Sequence, residues 1–91
     1  MKYIFIVLYP EYSFNDIMKN KSVKYHDVIA KNIRKLRTQA KLSQETLAEG
    51  VGCSREFISR IENFKEKVSL NMLLKVAEMF KINPAELFNQ K

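Results

Sequence analysis

The stretch LSQETLAEGVGCSREFISRIE, residues 42–62, decides the fold. Ser43 is a good N-cap, and Glu45 falls in the first turn of the helix that follows, where the positive end of the helix dipole favours a carboxylate. That helix runs over residues 44–49 or 44–50 and turns Leu47, Ala48 and Val51 inward. Gly50-Val51-Gly52-Cys53 holds both glycines of the chain. Gly52 suits the left-handed backbone that stops one helix and lets the next begin. Ser54 then caps another helix reaching Glu62, with Ile58 and Ile61 buried.

Helical spacing continues on both sides. Upstream, Val28, Ile29, Ile33, Leu36 and Ala40 recur on one face, with Lys31, Arg34, Lys35 and Arg37 on the others and Asp27 ahead as an N-cap. This is helix one, ended at Lys41-Leu42, so the two helices above are helices two and three. Downstream, residues 64–68 form a basic loop and Ser69 caps helix four, whose apolar side carries Leu70, Leu73, Leu74, Val76, Ala77 and Phe80. Asn83 followed by Pro84 is an N-cap with proline at the first helical position, opening a last short helix through Leu87 and Phe88. The expectation is an all-α, five-helix domain over residues 26–91. An N-terminal extension of residues 1–25 precedes it, made of an apolar β-strand at residues 3–9, ended by Pro10, and a basic connector at residues 19–25.

Helices two and three with their glycine-cornered turn make a helix-turn-helix. Ala48 is small enough for the two to cross closely, and Leu47, Val51, Ile58 and Ile61 fix the crossing. The outer face of helix three is then free to enter a DNA major groove. Residues 42–62 resemble the phage repressor/Cro-type helix-turn-helix family, also called the xenobiotic-response-element type. The resemblance extends back through residues 33–37 and forward through residues 69–77 to residues 83–88, covering about residues 26–88 without a gap.

The resemblance implies a DNA-binding transcriptional regulator that acts as a two-fold homodimer on double-stranded operator DNA. By position it implies base readout or groove lining for Ser54, Arg55, Glu56, Ser59 and Arg60. Gln44 would bind a phosphate and brace helix three, and Asn63 and Lys65 match backbone-contact positions. The chemistry agrees: an arginine at 55 can fork onto guanine O6 and N7, and Glu56 can accept from a cytosine amino group. Phe57 is a candidate groove contact, with packing against helix two as the alternative. Arg60 has an alternative partner in Glu56, four residues earlier.

Three positions depart from the family pattern. Phe64 stands where a glycine is common after helix three, and Val68 where a proline is common before the Ser-Leu of helix four. Gly50 replaces a charged residue and is expected to weaken the end of helix two by up to ~1 kcal/mol. Small size and a chain end directly after helix five resemble restriction–modification controller proteins and small stand-alone repressors. Those subclasses dimerise through their last two helices, a role for which Met79, Phe80, Ile82, Leu87 and Phe88 are the candidates here.

Composition narrows the field further. The 91 residues carry 16 Lys plus Arg against 10 Asp plus Glu, a net charge of +6. Residues 1–18 are net −1, residues 19–41 net +7 and residues 42–91 neutral, so the excess lies in one short stretch, the footprint expected of a nucleic-acid binder, with a solvated lysine-rich face as the alternative that charge alone does not separate. One cysteine, Cys53, and one histidine, His26, leave no disulfide within the chain and point to no metal and no cofactor. They are also the only conceivable nucleophile and base, and Cys53 sits in the corner of the helix-turn-helix, where a small packed side chain is the simpler reading. An enzyme is not expected.

The apolar run at residues 3–9 is far short of a membrane span. Pro10-Glu11-Tyr12 follows it with no small-x-small cleavage site, so a cytoplasmic protein is expected rather than a secreted one. A lone strand cannot satisfy its backbone in a helical domain. Pairing with the same strand of a second subunit is the preferred reading of residues 1–18. An apolar flap lying on the domain and a natural start at Met18 are the other two. The second functional reading is an antitoxin or other interaction module whose residues 1–18 grip a partner protein.

Overall fold

The structure, a computed structural model, describes residues 25–90. Four α-helices follow one another: α1, Tyr25–Gln39; α2, Gln44–Val51; α3, Arg55–Glu62; and α4, Leu70–Phe80. A short 3-10 helix, η1, Pro84–Phe88, completes the order. No strand occurs among the described residues. The strand expected at residues 3–9 and the connector up to residue 24 lie outside them.

Ile29, Ala30 and Ile33 of α1, Leu47, Ala48 and Val51 of α2, Ile58 and Ile61 of α3, and Leu73, Val76 and Ala77 of α4 meet in one core, closed by Val68 and Leu87. Each large aliphatic side chain buried there contributes about 1.5–3 kcal/mol. α2 and α3 pack chiefly on each other, while α1 lies across α3 and η1.

The expected fifth α-helix is corrected to a 3-10 turn. Its five residues bond three apart: the Glu86 N–H donates to Asn83 O at 2.9 Å and the Asn89 N–H to Glu86 O at 3.2 Å. Asn83 caps it through Ala85, at 2.9 Å, and the Glu86 carboxylate accepts from the Asn83 N–H at 3.1 Å. The far end is held from outside. Asn32 Nδ2 donates to both Leu87 O and Asn89 O, each at 2.7 Å, and Leu87 is fully buried. Those carbonyls are satisfied by α1, so nothing drives a longer α-ladder.

The serine caps stand where sequence chemistry puts them. The Ser43, Ser54 and Ser69 hydroxyls accept from the N–H groups of Thr46, Phe57 and Met72. Asp27, expected as a cap, instead lies inside the first turn of α1, which already begins at Tyr25. Two leucines assigned to the apolar side of α4 are also corrected. Leu70 is 71% and Leu74 46% exposed, because the stripe of Leu73, Val76 and Ala77 takes the core.

Helix C-termini are closed by left-handed residues, of which only Gly52 (φ 78°) is a glycine; the others are Lys41 (59°), Phe64 (62°) and Lys81 (55°). In each case the next N–H reaches back five residues: Leu42 to Arg37 O, Cys53 to Ala48 O, Lys65 to Arg60 O and Ile82 to Ala77 O, at 2.8–3.0 Å. A side chain in this conformation costs roughly 1–2 kcal/mol. Lys81 is exposed and makes no side-chain bond among the described residues. Lys81→Gly is therefore expected to raise stability by about 0.5–1 kcal/mol, after the greater freedom of glycine in the unfolded chain is deducted. That corresponds to a rise of roughly 3–6 °C in the thermal midpoint followed by circular dichroism.

Candidate nucleic-acid interface

α3 has two faces of opposite character. Ile58, Ile61 and Glu62 point into the protein, while Ser54, Arg55, Glu56 and Arg60 are exposed and Ser59 is half-buried. The exposed side chains span both turns of the helix, so one convex edge carries two guanidinium groups, a carboxylate and hydroxyls. Ser54 Oγ is engaged as the N-cap at 3.1 Å from the Phe57 N–H, which leaves its hydroxyl proton to donate outward. Phe57 is half-buried and packs against the core, so its ring contributes to the α3 seat as well as to the rim of the exposed edge.

The N-terminus of α2 is tied to the C-terminus of α3 by buried charge. Glu62, 5% exposed, accepts from Arg37 Nε at 2.7 Å and Nη2 at 2.9 Å, a two-pronged pairing from α1. Gln44 Nε2 donates to the same carboxylate at 3.1 Å, and Arg37 Nη1 caps the Leu42 carbonyl at 2.7 Å. Bonding to Glu62 holds the Arg37 guanidinium above its ordinary pKa, outweighing the burial that works against it. Among the described residues no buried side-chain nitrogen or oxygen is left without a partner. Gln44, a half-buried residue at the first position of α2, is thereby fixed in orientation relative to α3.

Beyond α3, Asn63 Nδ2 donates to Ser59 O at 2.9 Å, and the Lys65 N–H closes the turn onto Arg60 O, leaving the exposed lysine ammonium on the outside. Arg60 does not pair with Glu56; its Nη2 donates to Glu66 instead. The departure at Phe64 is accommodated without a glycine: the residue takes the left-handed conformation and leaves its ring half exposed. Gly50 also has a positive reason. A Cβ there would lie 2.6 Å from Met79 Sδ, so the glycine lets α4 lay its methionine against α2.

Burial pushes the Cys53 thiol up, partly countered by Lys75, the reverse of an activated nucleophile. His26 Nδ1 accepts the Val68 N–H at 3.2 Å, a structural tie between α1 and the loop before α4. No three His, Cys, Asp or Glu side chains converge on a metal-binding geometry among the described residues. No described helix is long and apolar enough to cross a membrane. Of the five apolar side chains expected to form a subunit contact, Leu87 is fully buried and Met79, Phe80 and Ile82 pack half-buried on the core. Only Phe88 is exposed, its ring 6.4 Å from that of Tyr25.

Sequence reasoning missed Arg37, Glu62 and Glu66. A signal existed for the first two: Glu62 follows Ile58 by four residues and Arg37 follows Ile33 by four, which places opposite charges on two buried helix faces. Charges so placed must find each other. For Glu66 no local signal existed, since its contact depends on the turn at Phe64.

A family model described as helix-turn-helix matches residues 33–87. Among solved structures, the high-resolution crystal structure of the restriction-modification controller protein C.AhdI from Aeromonas hydrophila is similar to this chain. The two are 39% identical, the match covers 68% of this chain and 94% of that one, and the TM-score is 0.63. No curated protein matches the chain.

Proposed function

The chain belongs to the helix-turn-helix family and is a DNA-binding transcriptional regulator, and from that premise we propose that it reads operator DNA through the exposed edge of α3 as a two-fold dimer. The observation that carries this reading is the division of α3 into a buried face of Ile58, Ile61 and Glu62 and an outward face of Arg55, Glu56 and Arg60. Gln44, Asn63 and Lys65 flank that edge and supply phosphate contacts, while Ser54 and Ser59 line the groove. Phe57 touches a sugar or a thymine methyl at its margin. The likeness to a restriction-modification controller protein supports the same regulatory class for this chain.

Selection of preferred sites from random duplexes tests the reading. A two-fold symmetric consensus with half-sites about one helical turn apart is expected; recovery of no preferred sequence refutes it. Arg55→Ala is expected to cost about 1–3 kcal/mol on the best duplex and to relax preference at one base pair, whereas Lys65→Ala weakens all duplexes alike. Competition binding against single-base variants separates the two.

The exposed Phe88, Tyr25, Leu70 and Leu74 supply apolar surface for subunit contact, and the apolar run at residues 3–9 supplies a second. Removal of residues 1–17 is expected to weaken the dimer while leaving the helical melt intact, as read by sedimentation and circular dichroism. An unchanged sedimentation profile removes that second contact.

A further inference from the structure

The outward edge of α3 holds an ion pair that none of the roles above uses. Arg60 Nη2 donates to Glu66 Oε2, six residues further along the chain. The reversal that makes this possible is the left-handed turn at Phe64: the Phe64 N–H bonds Ile61 O at 3.0 Å and the Lys65 N–H bonds Arg60 O at 2.8 Å, folding the chain back along the end of the helix. Glu66 is the more sheltered partner, its side chain 28% exposed against 59% for Arg60.

Two features separate this contact from sequestration of the arginine. Only one of the five guanidinium N–H donors is bound to Glu66, so the rest of the planar fork still faces outward. A free arginine on a helix surface also loses much rotamer freedom when it docks, and one pinned at a corner loses less. Against this, a carboxylate beside the DNA backbone repels phosphates and weakens binding to every sequence equally.

We propose that Glu66 is a positioning residue that sets sequence discrimination through Arg60, lowering general DNA affinity and sharpening preference at the base pair Arg60 faces. The proposal rests on α3 being the reading helix.

The test is competition binding of the full chain to its selected duplex, to the single-base variants of that duplex and to random duplex, at fixed salt. Glu66→Ala is expected to raise affinity for random duplex roughly two- to fivefold, by removing one negative charge. Discrimination at a single base pair is expected to fall about fivefold, a part of what one good base contact supplies, with the other positions unchanged. In an Arg60→Ala background the same change is expected to raise affinity without altering discrimination anywhere. Glu66→Gln, which keeps the shape and one acceptor, is expected to fall between the native chain and Glu66→Ala. Higher affinity with an unaltered discrimination profile overturns the proposal, reducing Glu66 to a plain surface charge. So does a loss of discrimination that persists without Arg60. A native chain with no preferred duplex would instead refute the reading of α3 itself, an outcome visible before any variant is made.

Discussion

Arg37→Met is expected to remove about 3–5 kcal/mol of folding free energy, because it strands the Glu62 carboxylate in the interior. The Glu62 side chain is only 3% exposed and takes three of its hydrogen bonds from Arg37 and Gln44. After the substitution Gln44 alone remains to it. A domain of this size has roughly 3–10 kcal/mol in total, so the single variant is expected to lose a large fraction of its stability. Urea denaturation followed by circular dichroism measures the loss. Pairing the change with Glu62→Leu is expected to restore stability to within about 1 kcal/mol of the native chain, since a matched apolar pair carries no stranded charge. A double variant as unstable as the single one would assign the loss to the packing of the arginine stem. The raised pKa of Arg37 gives this pair a definite pH dependence: its contribution is complete below the ordinary arginine value and is lost only as pH climbs beyond it, so the arginine side stays constant through the neutral range.

Ile58→Ala is expected to cost about 2–5 kcal/mol, the range for emptying a well-packed aliphatic site. Ile58 is 1% exposed and sits on the inner face of α3, between the helix-turn-helix corner and Glu62. Its effect complements that of Arg55→Ala on the same helix. The isoleucine variant is expected to lose stability while its folded fraction keeps the native order of preference among duplexes; the arginine variant is expected to lose preference while melting as the native chain does. Chemical denaturation and competition binding on both variants check this. Equal loss of preference in the two would show that the seating of α3, rather than its outward chemistry, sets specificity.

The parts of the fold legible from residues alone are those governed by chemistry within one helical turn. The caps at Ser43, Ser54, Ser69 and Asn83 act on N–H groups two or three residues away, and the starts of α2, α3, α4 and η1 follow from them. Helix ends are less legible because glycine is an incomplete marker: Lys41, Phe64 and Lys81 adopt the same left-handed turn as Gly52 without announcing it. Which apolar residues of α4 are buried was decided by its neighbours, so Leu70 and Leu74 keep the helical spacing yet face outward. η1 read as a helix because Asn83-Pro84 is a strong start; its brevity comes from Asn32, fifty-five residues from Leu87 in the chain, which no local pattern links to it. At the candidate interface the outward order of Arg55, Glu56 and Arg60 follows from the positions of Ile58 and Ile61. The restraint on Arg60 belongs to a loop conformation and was not readable.

The connections between elements are brief, three to seven residues each, and all four C-terminal turns close on their own backbone. Most contacts therefore join segments near in sequence, the low contact order with which helical domains fold in microseconds to milliseconds. Translation at several residues per second is far slower. The folding of the helical domain thus adds almost no delay between synthesis of a new molecule and its readiness to occupy DNA.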